Sequence, residues 1–101
     1  MLLFNITFNV DTNISQHWLK WMKANFIPMV MQTGVPKKSS VLKLLTEIEN
    51  GGSTYSFQFY FNTMEDFLNF DINYKEQLLE RHNVFFNGKF VMFSTLLEDI
   101  S

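Results

Sequence analysis

The chain has 101 residues and a net charge of −2. Its length is that of one domain, residues 1–101, which can bury a core without disulfides or a structural metal. It contains no cysteine, which excludes disulfides and thiolate chemistry and fits a reducing, cytoplasmic location. Its eight Lys and Arg residues are dispersed, with only Lys37 and Lys38 adjacent, so we expect no nucleic-acid partner, because phosphate binding needs a basic patch.

The first predicted element is a strand over residues 2–10, where the side chains alternate in character. Its two faces consist of Leu2, Phe4, Ile6, Phe8 and Val10, and of Leu3, Asn5, Thr7 and Asn9. Because polar residues interrupt this apolar N-terminus and no cleavage site follows it, we expect neither a signal peptide nor a membrane span.

A helix follows, since apolar residues recur at intervals of four. They are Ile14, Trp18, Met22, Phe26 and Val30. Asn13 and Gln16 resemble a capping box at the start of this helix. Pro28 lies inside the stripe and lacks an amide hydrogen, which predicts a kink, or an end near Ile27 with a fresh turn to Gln32.

Two strands joined by a tight turn come next. Residues 39–49 and residues 54–62 both alternate with the period of a strand. Between them, residues 50–53 read Asn-Gly-Gly-Ser, which is typical of a hairpin because these residues tolerate positive φ. The later strand has faces made of Tyr55, Phe57, Phe59 and Phe61, and of Ser56, Gln58, Tyr60 and Asn62.

A second helix is predicted to begin after Thr63, whose hydroxyl can cap it. Its apolar stripe is Phe67, Phe70, Tyr74 and Leu78. A last strand runs from Phe90 to Leu97. The element order is β-α-β-β-α-β, and right-handed crossovers place both helices on one face of a four-stranded antiparallel sheet. We therefore predict an α+β fold, a ferredoxin-like βαββαβ sandwich.

The other face of this sheet has no cover within the chain. It is polar on the central strands, yet it also carries Leu3, Tyr60, Val91 and Phe93. A strand that faces water on one side is usually polar on that side. Because exposed apolar patches mark interfaces and two-fold dimers dominate among oligomers, we predict a homodimer that pairs face to face, with these four residues as interface candidates.

Several segments of the chain resemble those of a bacterial family of similar size and unknown function. The segments are residues 5–11 (NITFNVD), 18–22 (WLKWM), 27–28 (IP), 33–34 (TG), 52–58 (GSTYSFQ), 64–66 (MED) and 88–91 (GKFV). The resemblance implies a ferredoxin-like fold of the dimeric α/β-barrel superfamily, in which two sheets pack face to face. The Ile-Pro helix also looks like that of small cofactor-free monooxygenases of this superfamily, although Phe26 stands where the family commonly has a histidine.

Histidines are the first candidates for chemistry, and the chain has two. His17 is offset from the apolar stripe, which favours a solvated residue over a catalytic base, because a base needs a positioned partner. His82 lies near the end of the second helix, where a protonated imidazole would interact favourably with the helix C-terminus. His82 also matches a histidine of the family of unknown function, at a position distinct from that of Phe26, and it is kept as a ligand-binding candidate. Neither histidine has metal-ligand spacing, so we predict no metal site.

The remaining candidates are an indole and a group of polar side chains. Trp21 favours a core position, because indoles bury large areas; the alternative is the aromatic wall of a small pocket between helix and sheet. The polar candidates are Asn5, Thr7, Gln58 and Tyr60, on adjacent central strands of the uncovered face. They can bind a polar ligand at a dimer interface, or bond one another across that interface.

No paired carboxylates and no phosphate-binding loop occur in the sequence, so we predict no catalytic residue and no cofactor, and leave open whether the protein is an enzyme. The first hypothesis is a homodimeric interaction or small-molecule-binding protein. The second is a cofactor-free, monooxygenase-like enzyme acting on a hydrophobic or aromatic small molecule. The third, RNA binding through the sheet, needs several outward aromatic residues, and on the central strands only Tyr60 points outward.

Overall fold

The structure is a computed structural model, and it describes residues 1–46 and 52–101. The strands are β1 (Leu2–Asp11), β2 (Lys38–Lys43), β3 (Gly52–Phe61) and β4 (Phe90–Glu98). The first helix comprises α1 (Ser15–Trp21), a π turn (Met22–Phe26) and α2 (Ile27–Gln32). The second comprises α3 (Met64–Phe70), a π turn (Asp71–Lys75) and α4 (Glu76–Phe86). Each run is one continuous helix, because the residues at the junctions keep right-handed helical backbone angles.

The sheet has the strand order β2-β3-β1-β4, and every neighbouring pair is antiparallel. β1 lies at the centre and pairs with β3 from Leu2 opposite Phe61 to Asp11 opposite Gly52. The buried stripes of both helices pack on the same face of the sheet. This arrangement confirms the predicted α+β, ferredoxin-like βαββαβ fold.

The core fills the space between the sheet and the two helices with aromatic rings. Phe8 is fully buried, and its ring centroid lies 5.2 Å from that of Trp18 and 5.6 Å from that of Phe57. Burying an aromatic or branched side chain contributes roughly 1.5–3 kcal/mol. The twelve phenylalanines therefore serve largely as core residues, on the faces that the strand alternation predicts.

The π turns explain why the apolar repeat in the first helix has a strict spacing of four. Its buried residues are Trp18, Met22, Phe26 and Val30. In a regular α-helix a step of four residues rotates the stripe by about 40° beyond a full turn. The wider π turn takes part of that rotation back, which keeps all four side chains on the sheet.

Pro28 lies at the start of α2, directly after the π turn. A proline is tolerated in the first turn of a helical segment, because the missing amide hydrogen has no partner there. The disturbance predicted at Pro28 therefore takes the form of a π turn that precedes it, and α2 continues to Gln32.

The two helix starts differ from each other. The predicted capping box at Asn13 is wrong, because residues Thr12–Ile14 form a short 3-10 turn and α1 begins without a side-chain cap. The cap predicted at Thr63 is confirmed, since its hydroxyl accepts a hydrogen bond from the amide of Asp66 at 3.1 Å.

The strand predicted over residues 39–49 is shorter than expected. β2 ends at Lys43, and residues 44–46 lie outside it, although the amide of Leu44 still donates to the carbonyl of Thr54 at 2.9 Å. Residues 47–49 of that prediction, and the first half of the predicted hairpin turn, lie outside the described residues. β3 already begins at Gly52, where a Cβ atom would collide with the side-chain amide of Asn9.

Candidate functional site on the open face of the sheet

The face of the sheet opposite the helices, here called the open face, carries four of the side chains predicted to bind a ligand. Asn5 lies opposite Gln58, and Leu3 lies opposite Tyr60. Paired residues of antiparallel strands project from the same face, and Thr7 shares it because it is two residues from Asn5. The structure therefore brings Asn5, Thr7, Gln58 and Tyr60 together.

A chain of hydrogen bonds links these side chains across the open face. The Tyr60 hydroxyl donates to Gln58 Oε1 at 3.2 Å, and Gln58 Nε2 donates to Ser56 Oγ at 3.1 Å. Ser56 Oγ donates to Asn5 Oδ1, and Asn5 Nδ2 donates to Thr7 Oγ1 at 3.0 Å. Each group holds the orientation of the next, so the strands present an ordered polar surface, here called the polar network.

The polar network ends in two threonine hydroxyls. Besides Thr7, Asn5 Nδ2 reaches Thr95 Oγ1 on β4 at 3.4 Å. Each threonine oxygen accepts a bond here and keeps its own hydrogen for donation. Sequence reasoning did not select Ser56 or Thr95 as site residues. The alternation of β3 was a signal for Ser56, whereas Thr95 joins the network only through the pairing register of β4 with β1.

Exposed apolar side chains border the polar network. On β4, Val91 is 68% and Phe93 is 61% exposed, and on β2 Leu42 is 52% exposed. Leu97, opposite Leu3, extends this border toward one end of the sheet. Two of the four predicted interface residues are thus largely exposed in the isolated chain, and Leu97 and Leu42 join them on the same face.

A cavity of about 430 Å³ opens at one end of the open face. Leu3, Tyr60 and Leu97 form its apolar and aromatic walls, while Glu98 and Asp99 bring carboxylates to its rim. Its volume lies within the range of roughly 300–1,000 Å³ that small-molecule sites occupy. The cavity thus adjoins the Tyr60 end of the polar network.

His82 lies in the core and does not occupy an exposed helix end. Its side chain is fully buried, and Nε2 accepts a hydrogen bond from Trp18 Nε1 at 2.9 Å. Because an indole N–H only donates, the proton of the ring belongs on Nδ1, which lies 2.9 Å from Asn83 Oδ1. Burial lowers the pKa of His82 and outweighs the Asn83 hydrogen bond, which raises it. Because Nε2 accepts the indole N–H, it carries no proton, so the predicted protonated imidazole is wrong and the ring is a neutral core group.

Trp21 does not line a pocket between helix and sheet. It is half-buried, and its ring packs 5.4 Å from the rings of both Phe85 and Phe86 on α4. It lines a cavity of about 360 Å³ between exposed sides of the two helices. The six predicted ligand-binding residues thus fall into two groups, four on the open face and two, His82 and Trp21, on the helix side of the sheet.

The polar network is suited to binding rather than to proton transfer. Its amides and hydroxyls offer donors and acceptors, but asparagine, glutamine, serine and threonine do not supply a base near neutral pH. Within residues 1–46 and 52–101, no three His, Asp or Glu side chains are grouped to hold a metal ion. In the same part of the chain, no helix has the length and hydropathy needed to cross a bilayer.

The sequence belongs to the family described as Domain of unknown function (DUF4286), which matches residues 1–100. Among curated proteins, no sequence matches this chain. The family assignment agrees with the resemblance seen in the sequence and brings no activity with it.

Solved structures similar to this chain include enzymes of different kinds. One is SnoaB, a cofactor-independent oxygenase from Streptomyces nogalater, at 8% identity, a TM-score of 0.67, and coverage of 99% of this chain and 94% of that one. Another is a hydroxynitrile lyase from Passiflora edulis, at 22% identity, TM-score 0.61, and coverage of 99% and 96%. A third is an EthD family protein from Bacillus halodurans, at 12% identity, TM-score 0.69, and coverage of 99% and 100%. These likenesses show the fold, and a fold shared by an oxygenase and a lyase does not define an activity.

Proposed function

We propose that two copies of this protein pair through their open faces and form a homodimeric interaction or small-molecule-binding module without catalysis. The open face carries the proposal, because exposed apolar side chains surround an ordered polar network. Val91, Phe93 and Leu42 each leave more than half of their surface to solvent. Exposed apolar side chains at both edges of a sheet face are typical of a contact with a partner.

The dimensions of the open face suit a dimer. β1 and β3 each contain ten residues, and at roughly 3.3 Å per residue they span about 33 Å. Four strands spaced about 4.8 Å apart are about 19 Å wide, so one face covers on the order of 600 Å². Two such faces bury on the order of 1,200 Å², which is the lower end of the range for stable specific interfaces.

The polar network lowers the cost of burying this face. A buried polar group without a partner costs about 1–3 kcal/mol. Here the amides of Asn5 and Gln58 are already hydrogen-bonded within one chain. The hydroxyl hydrogens of Thr7 and Thr95 are then the donors for acceptors on the second copy.

The cavity beside Leu3, Tyr60 and Leu97 supports a small-molecule role at the edge of this dimer. Its walls are mainly apolar, and the carboxylates of Glu98 and Asp99 lie at its rim. A hydrophobic small molecule would bury its body against these walls and be partly covered by the second copy. In this reading, Tyr60, which lines the cavity, orients the polar end of the ligand. Gln58, Asn5 and Thr7 support Tyr60 through the polar network.

A second candidate function is a cofactor-free, monooxygenase-like enzyme with a hydrophobic or aromatic substrate. The likeness to SnoaB favours it. The packing between helices and sheet speaks against it, because Phe8, Trp18 and His82 are fully buried and their rings lie within 6.2 Å of one another. A substrate there would have to displace a closely packed core.

A bacterial, cytoplasmic setting without a nucleic-acid partner remains part of the proposal. The absence of cysteine supports the cytoplasmic part and the net charge of −2 the lack of a nucleic-acid partner, whereas the bacterial part rests on the family resemblance. On the open face, Lys38 Nζ lies 4.4 Å from the centroid of the Tyr60 ring, so this outward tyrosine already has a partner within the chain. RNA binding would instead use such a ring as a stacking platform.

Native mass spectrometry of the freshly purified protein tests the proposal. We expect a dimer at micromolar concentration, and any retained ligand appears as additional mass. Phe93→Glu places a charge in the apolar border and should give monomers, because burying an unpaired charge is costly. Ile72→Glu is the matched control, since Ile72 is 76% exposed on the second helix, and it should stay dimeric. A wild-type monomer, or equal behaviour of the two variants, would contradict pairing through the open face.

A further inference from the structure

We infer a second binding site, on the helix side of the molecule, for a planar aromatic carboxylate. It is the groove of about 360 Å³ between the two helices, here called the helix groove. Its lining consists of Trp21, Asn25 and Met29 from the first helix and Arg81, Val84 and Phe85 from α4. The groove and the open face lie on opposite sides of the sheet, so this inference does not depend on the dimer.

The spacing of the lining residues on each helix directs them into the groove. Trp21, Asn25 and Met29 are separated by four residues each, which places them along one side of the first helix. The π turn Met22–Phe26 includes Asn25, whose Nδ2 donates to the carbonyl of Trp21 at 3.2 Å. On α4, Arg81 precedes Phe85 by four residues, so the guanidinium and the ring share a side.

Two aromatic rings form the walls of the helix groove. The Trp21 and Phe85 centroids are 5.4 Å apart, with an angle of 50° between the ring planes. Trp21 is held from behind by Phe86 and His82, at centroid distances of 5.4 Å and 6.2 Å. Phe85 is 66% exposed and Val84 is 75% exposed. A flat apolar ligand that packs beside these rings would gain contact area on side chains that now face solvent.

Arg81 gives the helix groove its charge preference. Its Nη1 donates weakly to Met29 Sδ at 3.7 Å, which brings the guanidinium across the groove. Among the described residues, no carboxylate lies within 4.0 Å of it, and its helical neighbours at three and four residues are Gln77, Leu78, Val84 and Phe85. Its planar fork therefore has donors available for a carboxylate, which it can bind through two parallel hydrogen bonds.

These features define the ligand by complementarity. The walls accept a flat, apolar body, the guanidinium accepts one carboxylate, and the volume lies within the range of small-molecule sites. A neutral aromatic molecule would use the walls alone. An aliphatic anion would use Arg81 alone, so an aromatic carboxylate combines both interactions.

The experiment titrates 2-naphthoate into the ¹⁵N-labelled full chain and follows the two indole N–H signals by NMR. The Trp21 signal should shift, whereas that of Trp18, which is buried and bonded to His82, should stay in place. Arg81→Gln should weaken 2-naphthoate binding by about tenfold or more, because it removes a charge-assisted pair. The matched neutral probe, 2-naphthalenemethanol, should bind the wild type and Arg81→Gln within about twofold of each other.

Phe85→Ala tests the contribution of the aromatic walls separately from that of Arg81, and it should weaken the binding of both probes. Thermal melting verifies that both variants remain folded, and native mass spectrometry verifies that their oligomeric state matches the wild type. An unshifted Trp21 signal at millimolar 2-naphthoate would overturn the inference. Unchanged 2-naphthoate affinity in Arg81→Gln would do the same, and neither result would bear on pairing through the open face.

Discussion

The two faces of the sheet are built from the same four strands and the same alternation of side chains, yet their surfaces differ in character. On the covered face, Phe4, Phe8, Phe57 and Phe59 are at most 3% exposed and pack against both helices. On the open face, a polar network fills the centre and exposed apolar residues such as Phe93 form the border. The covered face thus supplies stability, whereas the open face leaves polar and apolar side chains to solvent and is the surface through which we propose that two copies pair.

The largest difference between the faces is expected from two matched truncations. Phe8→Ala leaves a cavity among the buried rings and should lower the free energy of unfolding by about 3–5 kcal/mol. Phe93→Ala removes a ring that is 61% exposed and should cost less than about 1 kcal/mol in the dissociated chain. Urea unfolding at low protein concentration measures both. Equal losses would mean that the open face is as tightly packed as the core.

The core between the covered face and the helices should also make the stability of the protein sensitive to acid. His82 has a pKa below its ordinary value of 6.5 because burial disfavours the charged ring. The unfolded chain therefore binds a proton more readily than the folded chain, so this contribution to stability is complete above pH 6.5 and is lost as the pH falls toward the folded pKa.

Replacing His82 checks this pH response. His82→Gln retains an acceptor for the Trp18 indole and should flatten the decline of stability below pH 6.5. His82→Phe should do so as well, but at a cost of about 1–3 kcal/mol at neutral pH, because the Trp18 N–H is left buried without an acceptor. Denaturant unfolding across a pH series measures this; an unchanged slope in both variants would assign the response to other groups.

A small effect on stability, similar to that of Phe93→Ala, is expected within the polar network. Asn5→Ala leaves the Ser56 hydroxyl without its acceptor, which should cost about 1 kcal/mol in the dissociated chain, where water can replace the bond. In the proposed dimer the same groups would be buried, so the dissociation constant should rise about fivefold or more. Sedimentation velocity measures it, with Asn69→Ala on the second helix as control. Equal dissociation constants for the two variants would separate the polar network from pairing.

The sequence was informative where a pattern has a short period. Alternation in β1 and β3 was enough to assign Asn5, Thr7, Gln58 and Tyr60 to one face. The position of Thr95 was out of reach, because it depends on how β4 aligns with β1, a long-range pairing with no local signature. The buried pair of Trp18 and His82 spans 64 positions of sequence and was likewise missed.

For His82 and the π turns, a signal was present. The stripe of the second helix, Phe70, Tyr74 and Leu78, reaches His82 and then Phe86 when the spacing of four is continued, and both of these are buried. A strict spacing of four also drifts on an α-helix, so its persistence in both helices indicates a widened turn. The preference of a helix C-terminus for positive charge was a weaker guide to His82 than this spacing, because burial of the ring disfavours its charged form.

The most direct measurement compares two phenylalanines that are similarly exposed in one chain, Phe93 on the open face at 61% and Phe85 on the helices at 66%. Hydroxyl-radical footprinting reports the oxidation of each across a concentration series. Pairing through the open face predicts that Phe93 becomes protected as the concentration rises, while Phe85 is oxidised at every concentration. Equal oxidation of the two rings at all concentrations would contradict a second copy on the open face.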